Sequence, residues 1–318
     1  MTDRLKGMAG IRISGWGVAL PEKVVTNEDL SKTLDTSNEW ILERSGIAER
    51  RIGGTTSGLA VEAGKLALES AGLEPHDIDL LILATTTPDD QVPATSSKVQ
   101  HELALTCGAM DVNAACSGFV YSLVAGSGFL HAGCNRILVI GSETLSRFTD
   151  WQDRSTAILF GDGAGAVVLE SSSDGGELLG WDLSSSGELR DLLYCSIGGK
   201  IHMAGSEVFR KAVIAMANSG KASIANAGIA PEEISLVIPH QANIRIIETS
   251  LKRLGIPLEK AVWVGDKYAN TSAASIPIAL AHALDNGQVK ENDVILLVGF
   301  GAGMTSASAV IKWGEIND

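Results

Sequence analysis

Cysteine is scarce: four residues in 318, with no Cys-x-x-Cys pair. That is too few for a disulfide framework and fits a reducing compartment, so a cytoplasmic location is expected. Positive charge is also short. Twenty-five Lys and Arg face 38 Asp and Glu, a formal balance of −13, which argues against a general binder of nucleic acid or anionic membrane. Any anionic partner must then be met by a local basic patch. His-x-His, His-Glu-x-x-His and Cys/His spacings are missing, so no metal site is expected. Nor does the start of the chain read as a signal peptide, because Arg12 and a run of glycines interrupt any apolar stretch. Residues 112–135 lack formal charge and are long enough to span a bilayer. Asn113, Ser117, Ser122, Ser127 and the glycines among them suit a closely packed buried helix better.

What is present is an apolar fraction of 45% against 20% charged residues, enough for a large core. At roughly 150 residues per domain, the length allows two units, yet no linker divides them. An internal repeat does. Residues 71–87 read AGLEPHDIDLLILATTT and 227–243 read AGIAPEEISLVIPHQAN, with Gly72 matching Gly228 and Pro75 matching Pro231. Each copy follows an amphipathic helical run and leads through a Gly/Pro turn into a short apolar strand. The echo extends from 111–116 to 266–270 and from 135–141 to 292–299. An α/β architecture follows, two pseudo-symmetric halves each with a mixed β-sheet flanked by helices. The expected division is 1–172 and 173–318, with an unrepeated insertion at 142–160.

Three side chains stand out. Cys116 sits where a strand ends and a helix begins, a place where the helix dipole and free N–H groups favour thiolate. It is equally the sort of small residue that packs in a core. His240 ends a strand at the tip where α/β proteins place ligands, although a lone strand-end histidine is often merely structural. Asn270 lies in the repeat counterpart of the Cys116 turn and could be a plain helix N-cap. If the halves superpose, however, Cys116 and Asn270 face each other across the axis with His240 nearby, and thiol, imidazole and amide together make a nucleophilic site. The glycine runs 161–165 and 299–303 precede strands rather than helices, so they read as tight hairpins near a reacting centre rather than phosphate loops. Their backbone N–H groups could hold an oxyanion.

The segments Ala115-Cys-Ser-Gly118, Pro239-His-Gln-Ala-Asn243 and Ala269-Asn-Thr-Ser-Ala-Ala-Ser-Ile-Pro277, with both glycine runs, closely resemble β-ketoacyl-acyl-carrier-protein synthase III of the thiolase-like superfamily. The resemblance covers essentially the whole chain. It implies a thiolase-like five-layered αβαβα fold, and a Cys116–His240–Asn270 site with the backbone of Cys116 and Gly303 as oxyanion donors. The implied reaction joins an acyl-CoA primer to malonyl-acyl-carrier-protein through an acyl-cysteine, with loss of CO₂ and no cofactor. Related roles in polyketide, alkylquinolone or long-chain ketone synthesis share the fold, as would a non-catalytic carrier-binding subunit, which would be expected to lack the cysteine. Trp40, Arg44, Arg154, Phe160, Phe209 and Asn243 resemble contacts to coenzyme A and its pantetheine arm. Val92 and Pro93 lie in a segment resembling a loop that crosses a homodimer interface to close the partner's acyl pocket. Exposed Arg210, Lys211, Arg245, Lys252 and Arg253 form the local reversal of charge that an acidic carrier protein would need. Two departures from the family pattern are Ser206, where a larger polar residue is commoner, and Ala269, where glycine is more usual.

Overall fold

A computed structural model describes residues 10–172 and 176–314. Numbering strands of four residues or more, the first sheet comprises β1 (Gly10–Ala19), β2 (Leu80–Ala84), β3 (Gly108–Val112), β4 (Arg136–Thr144) and β5 (Asp162–Ser172), in the order β1-β5-β4-β2-β3. The second comprises β6 (Glu177–Ser185), β7 (Leu236–Pro239), β8 (Val294–Gly301) and β9 (Thr305–Lys312), in the order β6-β9-β8-β7. The two orders superpose, β1 on β6, β5 on β9, β4 on β8 and β2 on β7, with parallel and antiparallel pairs in the same places. Where a partner of β3 would run, the second sheet has a single parallel bridge, Val237 to Ala261. The expected division near 172 adjoins residues 173–175, which lie outside the described residues.

Helices of eight residues or more are α1 (Asn38–Ser45), α2 (Thr56–Ala71), α3 (Thr95–Glu102), α4 (Gly118–His131), α5 (Gly205–Ala227), α6 (Ile244–Leu254) and α7 (Ser275–Asp285). The repeated helix ends are built alike. Gly72 and Gly228 close α2 and α5 at φ of 65° and 72°, values that cost glycine nothing. Pro75 and Pro231 then open short turns in which Asp77 and Glu233 accept from the N–H of Glu74 and Ala230.

Strand alternation sorts the core into layers. On the first sheet Leu81, Leu83, Leu138 and Ile140 face outward onto α2, while Ile82, Ile137 and Val139 face inward. The inward residues meet Phe119, Val120 and Leu123 of α4 and Ile276, Ile278 and Leu280 of α7. Those central helices also receive Ile238, Ile295 and Leu297 from the second sheet, whose other face carries α5 and α6. The result is five layers, αβαβα, with a doubly covered helix pair at the centre. Of residues 112–135, Gly118–His131 form the central helix α4, and no helix among the described residues is long and apolar enough to cross a membrane.

Two expectations are corrected here. The run 161–165 is not a hairpin: β5 is already paired with β4 from Asp162 and with β1 from Ala164. Gly163 and Gly165 make room for α7, since a Cβ on Gly165 would lie 2.8–2.9 Å from Pro277 and Ile278. The run 299–303 does form a hairpin, joining β8 to β9. The insertion begins at 145 rather than 142, because Ser142–Thr144 complete the repeated strand β4.

Candidate active site

β3 stops at Val112, and the next residues fold back tightly. The Asn113 side-chain oxygen accepts from the Ala115 N–H at 3.4 Å, Ala115 adopts φ 49°, and Thr305 Oγ1 donates to the Ala114 carbonyl at 2.8 Å. Cys116 follows in a short 3₁₀ turn, Ala115–Ser117, that feeds α4. Two β8 glycines let the second sheet close over it. A Cβ on Gly301 would stand 2.6 Å from the Cys116 nitrogen, and one on Gly299 would stand 3.5 Å from the Cys116 carbonyl and 3.4 Å from the His240 Cβ. Among the described residues no backbone carbonyl accepts from the Cys116 N–H, which turns toward its own sulfur.

This enclosure overturns the expected thiolate. Burial pushes the Cys116 thiol up to about 12, and the charge of Glu143 acts in the same sense. A hydrogen bond from Ser272 and the turn's own N–H oppose the shift without cancelling it. At rest Cys116 is a thiol.

His240 ends β7 with its N–H on the Val298 carbonyl, and the chain beyond it is locked by Gln241. The Gln241 amide donates to the carbonyls of Pro239 and Val262 and accepts from the N–H of Val264 and Gly265. His240 Nδ1 lies 2.7 Å from Ser275 Oγ, while Nε2 is buried without a partner among the described residues. Burial lowers the imidazole pKa to about 3, so the ring is neutral.

Asn270 is held between the halves: its N–H donates to Leu159 O, and its carbonyl accepts from Gly161. Its side-chain oxygen accepts from the Ser272 N–H at 2.8 Å, which turns the amide NH₂ outward from the turn. Among the described residues that NH₂ makes no hydrogen bond. Ala269, where glycine was noted as more usual, takes φ 57° and ψ −157°, a region natural to glycine and strained for alanine. The strain lies directly before Asn270.

Residues 270–275 thus touch all three side chains: Asn270 is among them, Ser272 meets Cys116, and Ser275 meets His240. The duplication explains the layout. At a spacing of 157 residues Asn113 corresponds to Asn270, Ala115 to Ser272, Cys116 to Ala273 and Gly118 to Ser275. Both Asn side chains accept from the N–H two residues on, and Ala115 and Ser272 both take positive φ. β4 also approaches this second turn closely, for a Cβ on Gly141 would lie 2.3 Å from the Ala273 carbonyl. The symmetry breaks at one point. Glu143 of β4 accepts from the Ala273 N–H, whereas Gly301, which has no side chain to accept a hydrogen bond, stands opposite the Cys116 N–H. Glu143 is buried among donors that include the Ala273 and Thr86 N–H groups and the hydroxyls of Thr85, Thr86, Thr87 and Ser272. Burial nevertheless raises its pKa.

Sequence reasoning named the three central residues but gave no role to Ser272, Ser275, Gln241 or Glu143. The first three lay in full view inside the quoted motifs. Glu143 had no signal beyond a charged residue at the end of an apolar strand.

The outer residues fall into two groups. Arg44 and Arg154 both place their guanidinium carbons over the Trp40 ring, at 4.1 and 4.7 Å from its centroid. Asp162 positions the insertion that carries Arg154 by accepting from Ser146 and Gly53. The Asn243 amide donates to the Arg44 carbonyl while its oxygen caps α6, so this side chain is already committed to the protein. Phe160 is buried beside Asn270 through a parallel bridge. In the second group, Arg245 lies 5.6 Å from the Phe209 ring centroid, and Arg210, Lys211, Lys252 and Arg253 are exposed on α5 and α6. Gly303 adopts φ 118° in the hairpin turn after β8. Val92 is 86% exposed, directly before Pro93.

Residues 110–187 match the family model for 3-oxoacyl-[acyl-carrier-protein (ACP)] synthase III, and 224–313 match that for its C-terminal part. A β-ketoacyl-[acyl-carrier-protein] synthase III of Erythrobacter litoralis is 46% identical over 316 residues, spanning 95% of this chain and 98% of that one. The crystal structure of 3-oxoacyl-[acyl-carrier-protein] synthase III from Aquifex aeolicus superposes with a TM-score of 0.94 at 47% identity, covering 96% of this chain and all of the other. The priming β-ketosynthase of the R1128 polyketide biosynthetic pathway gives 0.90 at 31% identity, with 96% and 97% covered. With matching models over both halves and relatives this similar along nearly its whole length, the chain belongs to the 3-oxoacyl-[acyl-carrier-protein] synthase III family.

Proposed function

We propose that this protein is an acyltransferase that condenses an acyl-CoA primer with malonyl-acyl-carrier-protein. Cys116 attacks the primer thioester, its N–H receives the developing oxyanion, with the Gly303 backbone as second donor, and CoA leaves with the thiol proton. Malonyl-carrier-protein then binds, and the C–C bond to its carboxylate breaks. CO₂ departs, and the electron pair remains as an enolate whose oxygen accepts hydrogen bonds from His240 and Asn270. The enolate carbon attacks the acyl-cysteine carbonyl, the C–S bond breaks, and 3-oxoacyl-carrier-protein is released. The Cys116 thiolate takes up a proton, as a thiol pushed up to about 12 requires.

The observation that carries this reading is the pair of unpartnered donors, His240 Nε2 and Asn270 Nδ2, beside a buried thiol. A neutral imidazole and an amide are suited to donate to an enolate, because neither acquires charge in doing so. Trp40, Arg44 and Arg154 would receive the adenine of CoA, with Phe160, Phe209 and Asn243 along the pantetheine path. Initiation of fatty acid synthesis is favoured over polyketide priming by the higher identity to the named synthases than to the polyketide enzyme. We place two copies in the working enzyme, with the Val92–Pro93 loop reaching the partner's acyl pocket; β3, paired on one side only, leaves an edge free.

Incubation with a series of acyl-CoAs should add one acyl mass, mapped to Cys116, and subsequent malonyl-carrier-protein should discharge it as 3-oxoacyl product. Acylation that persists in Cys116→Ala would overturn the assignment.

A further inference from the structure

We propose that Ser275 is the positioning residue that fixes the tautomer of His240, keeping the ring proton on Nε2 where a substrate oxygen can accept it. This rests on the condensation proposed above for what the donor does, and on hydrogen-bond accounting for how it is held.

Ser275 opens α7 and is buried, as is His240. Its Oγ lies 2.7 Å from His240 Nδ1 and accepts from the Gln241 N–H at 3.3 Å. A serine hydroxyl has one proton to give, and a neutral imidazole has one ring N–H and one acceptor nitrogen. Among the described residues, Nδ1 is the acceptor available to the Ser275 hydroxyl. Suppose instead that Nδ1 carried the ring proton. Ser275 Oγ would then take two N–H donors, and its own O–H would point at nothing in a buried site. An unmet buried donor costs about 1–3 kcal/mol, enough to bias the tautomers by roughly five- to 150-fold. The hydroxyl therefore donates to Nδ1, and the ring proton resides on Nε2.

Among the described residues Nε2 has no acceptor. Its N–H is held ready by Ser275 from behind and satisfied only from the substrate side. The pseudo-equivalent of Ser275 in the first half is Gly118, which has no hydroxyl, so the device is found on the histidine side alone. A ring held in this tautomer is also a poor base toward the Cys116 thiol, which leaves His240 specialised for the second half-reaction.

Nitrogen-15 NMR of histidine-labelled protein reads the tautomer directly, with the His240 signals assigned by their loss in His240→Ala. The unsubstituted protein should show Nδ1 as the bare nitrogen and Nε2 as the protonated one. In Ser275→Ala the two tautomers should mix, and malonyl decarboxylation should fall about tenfold or more. Acylation of Cys116 should change far less. A protonated Nδ1 in the unsubstituted protein would overturn the proposal, and so would a Ser275→Ala variant that keeps both the Nε2–H tautomer and full decarboxylation. Should Ser275→Ala fold poorly, the spectrum of the unsubstituted protein decides alone. If the unsubstituted protein does not decarboxylate malonyl-carrier-protein, the proposed reaction falls, while the ring spectrum still tests the tautomer.

Discussion

Cys116 and His240 carry opposite consequences of one cause. Removing water disfavours whichever form is charged, so the thiol is pushed up to about 12 and the imidazole down to about 3. The sign for Cys116 gives a test. A thiol titrating far above neutrality gains thiolate about tenfold per pH unit below its pKa. Alkylation of Cys116 by a small reagent such as iodoacetamide should therefore climb steadily from pH 7 to 10 without levelling. A plateau near pH 7–8 would show a thiolate stabilised by the helix start, as the sequence alone suggested. The identities of Cys116, His240 and Asn270 were readable because each sits at a strand-to-turn junction with a recognisable neighbourhood. Their electrostatics were not readable. They depend on burial by Gly299 and Gly301, which lie far along the chain and reach Cys116 only when the two sheets close.

At the scale of elements, the repeat made the layers legible. Gly72/Gly228 and Pro75/Pro231 announced the duplicated helix ends, and strand alternation then assigned the faces. Less legible was the purpose of the glycines in β4, β5 and β8, since a glycine clearing space for a helix looks like one making a turn. That is why 161–165 reads as a hairpin in the sequence alone. The duplication yields a paired prediction. In Gly301→Ala the new Cβ would meet the Cys116 nitrogen at 2.6 Å, displacing the N–H proposed to hold the oxyanion. Acylation should fall by about 10²-fold. In Gly141→Ala the Cβ would press on the Ala273 carbonyl at 2.3 Å, in the turn that follows Asn270. That variant should lose about 1–3 kcal/mol of stability and lose decarboxylation more than acylation. Rapid-quench acylation and CO₂ release, with thermal unfolding alongside, separate the two. The same damage pattern in both variants would contradict the division of labour between the turns.

For the whole molecule, the question is how a chain of net charge −13 would receive an acidic carrier. Arg210, Lys211, Arg245, Lys252 and Arg253 are exposed on two neighbouring helices, and Arg245 borders Phe209. Arg245→Glu with Lys252→Glu should raise KM for malonyl-carrier-protein several-fold and leave acylation by acyl-CoA nearly unchanged. Equal loss in both steps would make these residues structural. Such a patch was legible as helix periodicity; its meeting with Phe209 was not, because it depends on how α5 packs against α6.

The central claim is that the two halves of the molecule serve two half-reactions, the first half supplying the nucleophile and the second the enolate donors. Asn270→Ala tests it most directly, with Cys116 acylation followed by intact mass and malonyl decarboxylation followed by CO₂ release on the same preparation. The account predicts acylation close to that of the unsubstituted protein and decarboxylation lower by about 10²–10³-fold. Acylation lost while decarboxylation survives would contradict it.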